Sequence, residues 1–99
     1  MYTPDNWVIF KIDNGEHPVF YKVLAGWSGG YLDGDSWRMN SGIVRIEEDG
    51  DYWLVYGQTG SCYKLHKEAN QIRMNISNIY RELKESGMAV EVCIDEVVL

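Results

Sequence analysis

Trp7-Val8-Ile9-Phe10-Lys11-Ile12-Asp13-Asn14-Gly15-Glu16-His17-Pro18-Val19-Phe20-Tyr21-Lys22-Val23-Leu24-Ala25 reads as two strands joined by a turn. Trp7 to Ile12 is rich in β-branched and aromatic residues. Val8, Phe10 and Ile12 share one strand face, and Trp7, Ile9 and Lys11 share the other. Asn14-Gly15 is a strong hairpin signal, because both central residues of a type I′ turn need positive φ. The return strand begins near Pro18, whose missing donor suits a strand start or an edge.

The same pattern recurs downstream. Asp33-Gly34 predicts a second tight turn, with short arms around Tyr31 and Trp37. Ile43 to Ile46 and Tyr52 to Tyr56 predict a hairpin closed by Glu47-Glu48-Asp49-Gly50-Asp51. Cys62 to Lys67 reads as a short strand or an extended connector. One helix is expected over Asn75 to Ser86, or from as early as Asn70. Ile72, Ile76, Ile79, Tyr80 and Leu83 fall on one face of it, Asn75 serves as N-cap and Gly87 follows its end. Met88 to Val98 alternates as a final strand, with Val90, Val92 and Ile94 turned to the core. The expected class is α+β: a twisted, mostly antiparallel sheet of about five to six strands with one helix packed on a face. At 99 residues the chain is read as one domain, residues 1–99.

Composition narrows the function classes. A formal charge of −6 argues against duplex nucleic acid, whose phosphates need a basic counter-surface. It permits a basic protein partner, or a small anion held by a local basic cluster. No apolar run approaches membrane-spanning length. No basic, then apolar leader precedes Trp7, and Cys62 and Cys93 suggest neither a disulfide framework nor a zinc site. A reduced, cytoplasmic protein is the expectation. No cofactor motif is present, because Gly57 to Ser61 lacks the lysine and spacing of a phosphate-binding loop. Asp33, Asp35 and Asn40 fail the calcium-loop spacing, since Trp37 stands where the third ligand is needed. Cys62 and His66, four apart on a strand, share a face well beyond hydrogen-bonding distance. No catalytic constellation is found, and the chain is read as a non-enzyme.

Two clusters carry the binding chemistry. Gly26 to Gly42 combines Trp27, Tyr31 and Trp37 with Arg38 and Asn40 among several glycines, a composition suited either to an aromatic core or to a pocket for a flat ligand. Gly57 to Ser61, followed by Lys64, Lys67 and Arg73, offers backbone and hydroxyl donors with charge behind them. In the binding reading Trp27, Tyr31 and Trp37 stack a base, Arg38 and Asn40 orient it, and Ser61, Lys64 and Lys67 hold phosphate. The alternative is an acidic inhibitor, or nucleic-acid mimic, docking on a host protein through Glu47, Glu48, Asp49 and Asp51. The sequence leaves homo-oligomerisation open.

The run Tyr21 to Ile43, with Gly60-Ser61-Cys62-Tyr63 and His66-Lys67, resembles small accessory proteins of T4-type tailed bacteriophages. The resemblance covers about half of the chain and carries no catalytic residues. It implies a protein made in the host cytoplasm that redirects host machinery, including by sequestering nucleotide signals of host immunity.

Overall fold

Strand β1 (Asn6–Ile12) is apolar on both faces, and a strand of that kind has to lie between two layers. In the computed structural model, which describes residues 1–15, 18–29 and 36–99, it does. β2 (Phe20–Trp27) pairs antiparallel with it, Trp7 opposite Ala25 and Ile12 opposite Phe20. β3 (Ser36–Met39) adds to the free edge of β2, and the late strand β7 (Ala89–Val92) adds to the other edge of β1. The first sheet therefore has the order β3-β2-β1-β7.

β4 (Ile43–Asp49), β5 (Tyr52–Gly57) and β6 (Cys62–His66) form a second antiparallel sheet, in chain order. It covers one face of the first, where Trp7, Ile9, Val23, Ala25 and Val92 meet Val55, Tyr63 and Leu65. Helix α1 (Met74–Glu85) covers the opposite face, seating Ile76 among Val8, Phe10, Leu24 and Ala89. Ile79, Tyr80 and Leu83 pack there half-buried, whereas Ile72 lies before the helix and is exposed. The class is α+β, with seven strands divided between two sheets and one α-helix among the described residues.

The division into two sheets happens at Asn40. The Val23 N–H donates to Asn40 Oδ1 (2.8 Å) and the Asn40 N–H donates to the Val23 carbonyl (3.1 Å). The side-chain oxygen thus stands in for the backbone carbonyl of Asn40 itself, which is free to leave with the chain for the other sheet. Gly42, at φ 137°, makes the departure. Turn signals mark hairpins but do not say which hairpins share a sheet, so a single sheet of five to six strands was the expectation.

Other boundaries also moved. Asn14 does not take the positive φ of a type I′ turn; instead Asp13 Oδ1 accepts the Gly15 N–H (3.0 Å) within a longer connection. Asp49 and Tyr52 do close a two-residue turn, with Gly50 at φ 59° in the first central position, the type II′ arrangement. The Asp33-Gly34 turn lies outside the described residues. Helix α1 begins one residue before Asn75, and Asn75 caps nothing. It is buried, and its Nδ2 donates to Asn6 Oδ1 (2.7 Å). The final strand stops at Val92, because Glu96 turns back to accept the Cys93 N–H (3.0 Å) over a 3₁₀ turn, Ile94–Glu96. Val90 was expected in the core and is 60% exposed. It lies opposite Lys11, beyond the area that the second sheet covers.

Candidate functional site

Adjacent residues of a strand point to opposite faces, and this separates Trp37 from Arg38. Trp37 lies opposite Gly26 on the helix side and is 50% exposed. Arg38 lies opposite Ala25, on the side that meets the second sheet. There its guanidinium sits 4.5 Å above the ring of Tyr2. Trp27 meets the same ring edge-on, centroids 6.2 Å apart, and Tyr63 lies 5.0 Å from it.

Tyr2 is the residue that sequence reasoning missed, an isolated aromatic outside any periodic run. Backbone alternation in β6 explains its place. Tyr63 bonds toward β5, so Cys62 and Lys64 direct their backbone groups away from it. The Tyr2 N–H donates to the Cys62 carbonyl (2.9 Å), and the Lys64 N–H donates to the Tyr2 carbonyl (2.8 Å). The N-terminal segment is thereby strapped along β6, bridging the seam between the sheets. Burial pushes the Tyr63 hydroxyl above the ordinary tyrosine range, and the neighbouring Arg38 opposes part of that shift.

Further along the seam, Asn40 follows Arg38 by two residues on the same side, about 7 Å away along an extended chain. It is 3% exposed. Its Oδ1 is taken by Val23, and its Nδ2 has no partner among the described residues. That nitrogen faces a small cradle around Gly57. A Cβ placed on Gly57 would stand 3.1 Å from Ser41 Oγ, 3.1 Å from Ser61 Oγ and 3.5 Å from Asn40 Nδ2. Thr59 closes the cradle: its N–H donates to Ser41 Oγ (3.1 Å), and the two hydroxyls lie 3.3 Å apart. The Gly57 N–H donates to the Ser61 carbonyl (2.9 Å), which fixes the rim. Ser41 and Gln58 also line an open groove of about 500 Å³ with Lys22, Phe20, Val19 and Pro18. A buried N–H₂ without an acceptor is uncommon and calls for a bound polar group to complete it.

Four of the sequence-predicted residues, Trp27, Arg38, Asn40 and Ser61, therefore fall along one seam. Tyr31 lies outside the described residues. Lys64 points to the outer face of the second sheet, its Nζ 4.5 Å above the Tyr52 ring. Lys67 lies at the far end of β6, about 20 Å of strand from Ser61, where it pairs with Glu48 and covers Trp53. Neither lysine reaches the cradle. Cys62 and His66 lie opposite Tyr56 and Tyr52, at the two ends of one strand. His66 Nδ1 accepts the Glu68 N–H (3.1 Å). Both cysteines are free thiols, and no group of metal-ligating side chains forms among the described residues.

No helix is long and apolar enough to cross a membrane among the described residues. No protein-family model, curated protein or solved structure matches the chain.

Proposed function

We propose that this chain is a non-enzymatic binding protein that captures a nucleotide-like anion along the seam between its sheets. The observation that carries the reading is the buried Asn40 Nδ2, directed into a hydroxyl-lined cradle without an acceptor. Arg38 supplies the second element. Backed by Tyr2, its guanidinium is a cationic plane on which a base stacks. Asn40, Ser41, Thr59 and Ser61 then receive ribose or phosphate oxygens. In the setting that the phage resemblance implies, the ligand is a host nucleotide signal removed stoichiometrically in the host cytoplasm. The acidic-decoy reading has less support. Glu47 is engaged by Arg45 and Tyr56, and Glu48 by Lys67, so half of the four carboxylates are already answered within the chain.

Calorimetric titration against a panel of mono-, di- and cyclic nucleotides tests this. The wild type should bind at least one of them. Arg38→Ala should weaken that binding about tenfold to a hundredfold, the usual worth of one stacked base. Gly57→Ala should weaken it comparably by filling the cradle. Lysine at Glu47, Glu48, Asp49 and Asp51 should leave it intact. Absence of binding across the panel, or wild-type affinity in both the Arg38 and Gly57 variants, refutes the proposal.

A further inference from the structure

β4 is an uncovered edge of seven residues, longer than the four-residue edge strands β3 and β7 of the first sheet. Which of its backbone groups face outward follows from the turn. A two-residue turn closes on a hydrogen-bonded pair, here Asp49 and Tyr52. Alternation then directs the backbone of Glu47 and Arg45 toward β5, and that of Ile46 and Glu48 outward. The bonds from Tyr2 to Cys62 and Lys64, two strands away, fit the same phase. Among the described residues, nothing pairs with this edge.

We propose that β4 pairs with β4 of a second copy, antiparallel and centred on Ile46, joining two three-stranded sheets into one of six. The side chains select this register. Pairing Ile46 with the second copy's Ile46 sets Arg45 opposite Glu47 and Glu47 opposite Arg45, so the two-fold axis generates two opposite-charge pairs. A shift by one hydrogen-bonding step in either direction sets Glu47 opposite Glu47 or Arg45 opposite Arg45, and like charges directly opposite are destabilising. Arg45 and Glu47 already lie 3.4 Å apart within one copy, with both side chains well exposed. Ile46, half-buried at the rim of the core, gains its own counterpart as a neighbour. The irregularity at Val44 ends the flush part of the edge, so with Ile46 on the axis the ladder is limited to Arg45–Glu47 of each copy. The pairing lies on the edge of the second sheet away from Tyr2 and does not depend on the ligand reading.

Sedimentation velocity over a concentration series is the test, run at physiological ionic strength. There the repulsion between two chains of charge −6 is screened over about 8 Å. The wild type should form a reversible dimer. Arg45→Glu and Glu47→Arg should each weaken it about tenfold or more. The double exchange R45E/E47R should restore it, because the pairs re-form with signs reversed. Ile46→Pro removes the outward donor at the axis and should abolish dimerisation, while circular dichroism reports whether each variant is folded. A wild type that is monomeric throughout overturns the proposal. So do single reversals that dimerise as well as wild type, or a double exchange no better than the singles.

Discussion

Two glycines in this molecule each lie against an asparagine amide, and the surroundings differ. Gly26, on β2, faces the helix. A Cβ there would stand 2.6 Å from Asn75 Oδ1 and 2.7 Å from Ile76 Cγ2. Gly57, on β5, faces the cradle, where the nearest atoms stand off at 3.1 Å and are hydroxyls. Both amides are buried and both keep one polar atom without a partner, Asn75 Oδ1 and Asn40 Nδ2. At Gly26 the carbonyl oxygen occupies the place that a side chain would take. At Gly57 the amide nitrogen, a donor, meets no acceptor and stands 3.5 Å from the place a Cβ would take. The helix junction has no space for a methyl group, whereas the seam at Gly57 allows one if the neighbouring hydroxyls give way.

The largest test of that contrast is Gly26→Ala. The added methyl has to displace helix α1, so a loss of about 3 kcal/mol is expected, at the upper end of overpacking effects. Gly57→Ala should lose less than about 1 kcal/mol, because only hydroxyl rotors and a serine need to yield. Urea denaturation of the two variants measures both, and equal losses would erase the distinction. Asn40→Ala comes next, at about 1–3 kcal/mol, since it leaves the buried Val23 N–H unpaired at the place where the chain changes sheets. A neutral result there would mean that water replaces the amide and that the crossing does not depend on it.

The smallest effect is one of pH. Burial holds the Tyr63 hydroxyl protonated beyond its ordinary range. A raised folded-state value contributes stability that is fully present below the unfolded tyrosine value of about 10. That stability is lost as pH climbs through the folded value. Stability followed into the alkaline range should therefore fall more steeply in the wild type than in Tyr63→Phe. Parallel curves would remove Tyr63 from the account of the seam.

Most of the strands were legible in the sequence because alternation is a local property. Trp7 to Ile12, Ile43 to Ile46 and Tyr52 to Tyr56 all lie within observed strands. The separation of two sheets was not legible. It rests on the Asn40 side chain imitating a backbone, and nothing in the composition of Met39-Asn40-Ser41-Gly42 distinguishes that from an ordinary loop. The helix start was misplaced because Asn75 serves Asn6, a contact spanning most of the chain. In the candidate site, grouping Trp37 with Arg38 overlooked that neighbours on a strand cannot share a face. Lys64 failed by the same parity, since Tyr63 and Leu65 turn inward on either side of it. Asn40 and Ser61 are singled out in the sequence by the glycines around them, which mark close approach without saying to what.

The central strand has a history as well as a position. Among the described strands β1 precedes the others, and it pairs on one side with β2, which follows within a few residues. On its other edge the Trp7 carbonyl accepts the Gln71 N–H, and Ile9 to Ile12 wait for β7, with Ile9 opposite Val92. Until Ala89 to Val92 have been made, a strand that is apolar on both faces keeps a row of bare backbone donors and acceptors. Such an edge is a template for adding strands from other chains. Arrangements dominated by distant pairings also form slowly. β7 therefore does more than widen the sheet. It closes an apolar, unpaired edge, and a ribosome stalled before Ala89 would leave that edge open.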